Sequence, residues 1–431
     1  MGERLLDWQP DESQREVIDI QGGQHLVLAP PGCGKTQILT ERVKRARQCG
    51  TAYEDMLCLT FTNRAARGMM ERIRAHIDDD DIAKLYVGNV HRFCSRFLFE
   101  NNVIPAESSV IDDDDAISIL ARFLDEDETQ VAATYKRLHD YHDVVFLSHL
   151  MYQVAHRHPR MLRLHTDCIN ADDIAAMREI CRVQRMEFTA EVMTDIYMHT
   201  DFYLDALRVE GYDYGMRAVL DALLRKMKLA RQYEQYKTDN KLVDFEDLLL
   251  LTYDTLTGEQ QQNFRRFSWI QIDEVQDLNP LQLAIVDAIT ANDNATVMFL
   301  GDEQQAIFSF MGAKLDTLDV LRERCKGRIH HLTVNHRSPK YLLDVLNTYA
   351  SQVLRINADL LPEADNEATC REGELKLLYS DTIDAEYRDV AAFARQLHDN
   401  FTEETTAIIV SSNSDAELVS RALRDLELPH F

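Results

Sequence analysis

Apolar positions in this chain follow two rhythms. Short apolar runs at Leu26-Val27-Leu28, Met56 to Thr60, Trp269 to Ile272 and Val297 to Leu300 read as buried strands, each leading through a polar turn toward a helix. A strand, a turn and a helix start follow at His331 to Pro339. Leu375 to Leu378 and Ala407 to Val410 read as two further strands, with helices after Ala385 and Asp415. Strand and helix in alternation predict a parallel sheet, so the fold class is α/β. From about Glu100 to Gln235 the rhythm changes: glycine nearly vanishes and apolar residues recur at helical spacing, as in Ala116, Ile119, Leu120, Phe123 and Leu124. That stretch predicts an inserted helical domain. An amphipathic helix at Lys241 to Leu251 returns the chain to the first α/β domain. The expected organisation is 1–99 and 236–315 for the first α/β domain, 100–235 for the insertion, and 316–431 for a second, incomplete α/β domain.

The chemistry concentrates where strands end. His25 to Thr40 reads HLVLAPPGCGKTQILT, an apolar strand, a Pro/Gly loop and a helix opening at Gly34-Lys35-Thr36. Bare backbone N–H groups in such a loop wrap phosphate oxygens at the positive end of a helix. Ala29 stands where the pattern has its first Gly, one small residue for another. Pro31, Gly32, Cys33, Gly34, Lys35, Thr36 and Gln37 are therefore candidate nucleotide-binding residues, with Lys35 on the β- and γ-phosphates and Thr36 placing its hydroxyl on Mg²⁺. The strand WIQI runs directly into Asp273-Glu274, which divides the labour of hydrolysis: Asp273 holds the metal and Glu274 orients and deprotonates water. In VMFLGDEQQAIFSFMGA a glutamine can sense the γ-phosphate, and Phe308 and Phe310 can face bases, although Phe308 is equally readable as core. Arg337, near the end of HLTVNHRSP, suits an arginine finger. Gln14 can read one edge of adenine.

A second ligand is indicated after Met56 to Thr60. Phe61 offers a flat face for a base, and Thr62, Asn63 and Arg64 offer a hydroxyl, an amide and a cation for phosphates, as a single-stranded nucleic-acid track requires. Arg67, Arg72 and Arg74 extend the basic helix, and His91 with Arg92 follows in YVGNVHRFCSRFLF.

Charge limits how such a track can work. The 431 residues carry a formal net charge of −26, so any nucleic-acid binding is local and not a blanket attraction. A hydrophobic share of 45% with 28% charged residues is that of an ordinary globular protein. No apolar window of membrane-spanning length or signal-peptide form occurs, which points to the cytoplasm. The eight scattered cysteines lack paired spacing and read as reduced thiols. Cys33, beside a helix N-terminus, is expected to have a lowered pKa and to make nucleotide binding sensitive to thiol reagents. His149, His156, His158 and His165 in the helical stretch have no matching carboxylate pattern and read as structural, not as metal ligands.

Gln14, APPGCGKT, LTFTNRAARGMMERI, VGNVHRFC, DFEDLL, IDEVQDLNPLQ, LGDEQQAIFSFMGA and LTVNHRS resemble, in order, the leading motifs of superfamily 1 DNA helicases of the UvrD/Rep/PcrA type. The resemblance runs from about Leu6 to Phe431. It implies a P-loop NTPase with two RecA-like domains and an ATP-driven motor moving 3′ to 5′ on single-stranded DNA, in repair or replication. It further implies Gln14 and His336 at adenine, Gln305 as γ-phosphate sensor, Arg337 as finger, and Phe61, His91 and Phe310 on DNA. His336 stands where the family has Tyr, and Met311 where it has Arg. The family's later motifs are absent. The chain is therefore expected to bind ATP but hydrolyse it slowly without unwinding duplexes, its motor completed by a C-terminal remainder or by a partner chain. The competing reading is a nucleotide-gated DNA-binding adaptor, or the helicase-like subunit of a phage-defence or repair complex.

Overall fold

The computed structural model describes residues 9–124, 143–145, 147–149, 151, 171–209, 214–258, 264–302, 305, 316–370 and 375–430. The chain forms two compact units, Met1–Ser338 with Leu346–Asn366, and Pro339–Val345 with Glu367–Phe431. The described strands, in chain order, are β1 (Gly23–Leu28), β2 (Met56–Leu59), β3 (Tyr86–Gly88), β4 (Ser109–Val110), β5 (Leu242–Val243), β6 (Trp269–Ile272), β7 (Thr296–Gly301), β8 (Ile329–His331), β9 (Val334–Pro339) and β10 (Glu363–Asn366).

Six of them make one sheet in the order β3-β2-β6-β7-β1-β8, parallel throughout. Side chains along a strand alternate between faces, and here both faces are buried. Leu57, Leu59, Ile270, Ile272, Val297 and Phe299 enter one core. Met56, Cys58, Trp269, Met298 and Leu300 enter the other. Helices start where local chemistry caps them: the Thr62 hydroxyl accepts from Ala65 N–H ahead of the helix Asn63–His76, and Asn279 forms a capping box ahead of Pro280–Ile289.

The expected boundary at residue 316 falls too early. Leu318 and Leu321 of the helix Asp316–Arg324 pack into the first core, and β8 pairs with β1 in register Leu26↔Ile329. Burial of that helix's apolar face fixes the segment to the first sheet.

The helical insertion has its own core, from Ile111 to Leu242. Its described helices are Asp113–Phe123, Ala171–Val183, Ala190–Met198, Thr200–Val209 and Tyr214–Asn240. Parallel pairing of Ser109 with Leu242 and Val110 with Val243 brings the outgoing and returning chain together at its base. There, contrary to the sequence reading, His149 does face carboxylates. Its Nε2 lies 2.9 Å from Asp244 Oδ2, while Lys237 Nζ donates to Asp244 at 2.7 Å and to Asp247 at 2.6 Å. Tyr233 donates to the same Asp244 oxygen at 3.0 Å. Burial alone would raise the Asp244 carboxyl, but His149 and Lys237 outweigh it and hold the pKa well below the ordinary range. With a lysine ammonium among the oxygens, the group is an ion-paired knot. His156, His158 and His165 lie outside the described residues.

In the second unit, Ala391 and Ala394 of the helix Ile383–Asn400 pack on Val419 and Leu423 of the helix Asn413–Asp425. The strands expected at Leu375 to Leu378 and Ala407 to Val410 are not formed, and Leu377 and Ile409 are 74% and 93% exposed. Apolarity marks a segment as strand-competent, but a ladder needs a neighbour, and among the described residues neither segment has one. No helix of the described residues is long and apolar enough to cross a membrane.

Replacing Lys237 with Met would leave two acids, Asp244 and Asp247, facing His149 alone in a largely buried site. We expect a loss of about 3–5 kcal/mol in urea-induced unfolding, whereas an exposed control, Lys326→Met, should cost under about 0.5 kcal/mol.

Candidate functional site

In a parallel sheet all carboxyl ends share one edge, and loops there converge. The loop after β1 is the phosphate loop. Gly32 and Gly34 take left-handed φ values of 84° and 80°, and a Cβ on Gly32 would lie 2.6 Å from Asn335 Nδ2. Three consecutive carbonyls of this loop are pinned from outside. Asn335 Nδ2 donates to Pro31 O at 2.8 Å, the His336 N–H to Gly32 O at 3.0 Å, and Gln14 Nε2 to Cys33 O at 3.1 Å. Since the C=O and N–H of a trans peptide point opposite ways, pinning these carbonyls turns the Gly32 and Gly34 amides to the other side, as an anion-binding nest requires.

From the end of β6, Asp273 and Glu274 face Lys35. Lys35 Nζ stands 3.4 Å from both Glu274 oxygens. Glu274 itself holds a left-handed φ of 54°, a conformation that costs a non-glycine residue about 1 kcal/mol. Contacts fix it there: its N–H donates to Asp273 Oδ1 at 3.1 Å, and Gln276 Nε2 donates to Glu274 Oε2 at 2.8 Å. Gln276 Oε1 in turn accepts the Asp302 N–H after β7, at 3.1 Å, and Gln305 Nε2 donates to Asp302 Oδ2 at 2.8 Å. A continuous chain of polar contacts thus joins Lys35 to Gln305 across the ends of β1, β6 and β7.

Burial, followed by the neighbouring Glu274 carboxylate, pushes Asp273 up to about 7 against the pull of Lys35. Asp277, for the same reasons, rises to about 6. Asp273 and the Thr36 hydroxyl are hard oxygen donors, and a desolvated carboxylate beside a second acid is short of positive charge, so this donor set fits Mg²⁺. Cys33 reverses the sequence expectation. It is fully buried, and burial, with Asp302 adding to it, lifts its thiol to about 12, overriding the helix terminus and Lys35.

Other candidate residues are placed as follows. Gln14 is buried, with Oε1 accepting the Asp11 N–H at 3.1 Å in a capping box, so both ends of its amide are engaged within the protein. Thr36 and Gln37 open the helix Lys35–Gln48. His336 lies on β9 between two carboxylates, Asp11 and Asp365. Arg337 follows it, exposed, its N–H on Asn335 Oδ1 at 2.9 Å.

Phe61, Thr62, Asn63 and Arg64 sit after β2 at the same sheet edge, Phe61 half-buried and the other three exposed. The strand order puts them three strands from the phosphate loop, about 14 Å at 4.8 Å per strand. His91 packs its ring 5.3 Å from Phe245, which is 41% exposed, and burial lowers its pKa. Phe308 and Phe310 lie outside the described residues, as do Gln304 and Met311.

Sequence reasoning passed over Gln276, Asp302, Asn335 and Phe245, although all four stand inside quoted motifs; the motif does not show what Asn335 does, because its contact depends on β9 meeting the loop 304 residues away.

Residues 10–326 match the family model described as the UvrD/REP helicase N-terminal domain, and residues 330–431 that of the UvrD-like helicase C-terminal domain. Similar curated proteins include the ATP-dependent DNA helicase srs2 of Schizosaccharomyces pombe, 26% identical over 79% of this chain and 34% of its own length. DNA helicase II of Haemophilus influenzae is 23% identical over 99% of this chain and 51% of its own length. The ATP-dependent DNA helicase PcrA of Bacillus subtilis is 23% identical over 95% and 48%. The chain thus spans between a third and about half the length of these relatives.

Two outcomes follow from the site's electrostatics. A carboxyl whose folded pKa is raised from 3.8 to about 7 favours the folded state only while protonated, so its contribution is lost as pH rises from 4 to 7. Asp273→Asn should accordingly raise the unfolding free energy of the nucleotide-free protein by about 2–4 kcal/mol at pH 8 and leave it unchanged at pH 3.5. Peptide mapping after iodoacetamide treatment of the native protein at pH 8 should show Cys33 alkylated at least about tenfold more slowly than exposed Cys49.

Proposed function

Because the chain belongs to the UvrD/REP helicase family, we propose that it is the ATP-hydrolysing part of a DNA helicase that moves 3′ to 5′ on single-stranded DNA, acting in the cytoplasm in repair or replication. The observation that carries this reading is the polar chain from Lys35 through Glu274, Gln276 and Asp302 to Gln305, which gathers a phosphate-binding cation, two acids and an amide at one sheet edge.

On this reading Lys35 leaves its loose contact with Glu274 for the β- and γ-phosphates, and the freed Glu274 carboxylate orients and deprotonates the attacking water. Thr36 and Asp273 would hold Mg²⁺, which would supply positive charge to the phosphate oxygens. Gln276 keeps Glu274 in its strained turn. Gln305, tied to Asp302, reports the γ-phosphate; Arg337 supplies further positive charge to it; Gln14 and His336 border the base. Pro31, Gly32, Cys33, Gly34 and Gln37 complete the phosphate cradle.

Single-stranded DNA runs over Phe61, Thr62, Asn63, Arg64 and His91, with Phe308 and Phe310 as further stacking residues. Local cations must do this work against a net charge of −26, and Arg64, Arg67, Arg72 and Arg74 are all exposed on the helix Asn63–His76. A short polar relay from β6 to β7 also gives the γ-phosphate a route to the segment that carries Phe308 and Phe310.

The test separates a motor from an adaptor. Glu274→Gln should lower ATP turnover in the presence of single-stranded DNA by at least about 100-fold while ATP affinity changes less than about threefold. Unchanged turnover in that variant, or DNA binding indifferent to ATP, would rule the motor out.

A further inference from the structure

His336 sits where strand β9 meets the phosphate loop, and its ring is held on both sides. Nδ1 lies 3.0 Å from Asp365 Oδ2 on β10, and Nε2 lies 3.0 Å from Asp11 Oδ2 at the cap of the helix Glu12–Ile18. A neutral imidazole has a single N–H; its other nitrogen would present a lone pair to a carboxylate. Both contacts are attractive together only when the ring is an imidazolium, with two donors. The same residue's backbone N–H pins Gly32 O, its neighbour Asn335 pins Pro31 O, and Asp11 accepts from the N–H of Gln14, whose side chain pins Cys33 O. All three pins on the phosphate loop therefore connect, within two residues, to one titratable ring.

We propose that His336 is a positioning residue: as an imidazolium bridging Asp11 and Asp365 it clamps β9 and the Gln14 cap onto the phosphate loop, so that nucleotide binding weakens when the ring loses its proton. The proposal rests on the reading of this loop as a nucleotide site. The charged groups acting on the ring are Asp365 and Asp11; burial opposes them but loses, so the ring keeps its proton above the ordinary 6.5. The phosphate loop presents backbone to it. The side chains of His336, Asp11 and Asp365 are 30%, 19% and 65% exposed, so the clamp is modest in strength and titrates in a pH range that solvent reaches.

The affinity of the full chain for a fluorescent ATP analogue with Mg²⁺, measured from pH 6 to pH 9 by titration, tests the clamp. The wild-type dissociation constant should rise about 3- to 10-fold across that range beyond any change in His336→Arg, whose fork of fixed donors serves both carboxylates at every pH. His336→Gln should bind weakly throughout with the wild-type slope removed, and Asp365→Asn should move the midpoint to lower pH. Equal slopes in wild type and His336→Arg, or a wild-type slope preserved in His336→Gln, would overturn the proposal.

Thermal unfolding without nucleotide provides a readout independent of the ligand. A raised histidine pKa stabilises below 6.5 and loses that contribution as pH rises through the folded value, so the wild type should lose stability relative to His336→Arg over this range. A protein that shows this loss yet binds no ATP at any pH would refute the nucleotide assignment and leave the clamp as a structural contact only; a flat difference would refute the clamp itself.

Discussion

Parallel strands have only one edge at which their carboxyl ends can meet, and that constraint organises this protein. β1, β6 and β7 are neighbours in the sheet, so the loops leaving them must share a small space. Into it the sequence delivers one lysine, two adjacent acids and an aspartate–glutamine pair. Hydrogen bonds of 2.8 to 3.1 Å through Gln276 then bind the loop after β6 to the loop after β7. Asp273 is the first residue past β6 and Asp302 the first past β7; one position earlier, each would fall on a strand that is buried on both faces.

Electrostatic cost is larger at this edge than in the other buried cluster of acids. Asp273 is 8% exposed and is raised to about 7 by its own burial and by Glu274, an arrangement that is unfavourable without added positive charge. In the knot, Lys237, Asp244 and His149 are as deeply buried and Asp247 is half-buried, yet both carboxylates face cations, and the knot fastens the helical insertion where that chain rejoins the sheet. Asp273 is left short of positive charge, whereas Asp244 has its cations in the protein itself. That contrast is what marks the first cluster, and not the second, as the candidate binding site.

Much of this was legible in the sequence, for identifiable reasons. Leu26-Val27-Leu28 before GCGKT, and WIQI before Asp273-Glu274, mark a strand and the polar residues at its end within a few positions, so local pattern sufficed to place them. The change to helical spacing after Glu100 likewise announced the insertion. What escaped was non-local. Asn335 and His336 act on a loop about three hundred positions away, and no spacing rule links them. The helix Asp316–Arg324 looked like the start of a new domain until its leucines were found in the first core. Cys33 misled because a helix terminus is visible in sequence and burial is not; desolvation decided the direction. Leu375 to Leu378 and Ala407 to Val410 misled because a short apolar run records a capacity to pair and says nothing about the partner.

The account stands on nucleotide engaging three loops at once. Hydrogen–deuterium exchange of the chain with and without a non-hydrolysable ATP analogue and Mg²⁺ measures this most directly. It predicts joint protection of backbone amides in 32–37, 273–276 and 301–305, with the helical core from 171 to 209 unchanged; protection confined to 32–37, or appearing only outside these segments, would contradict it.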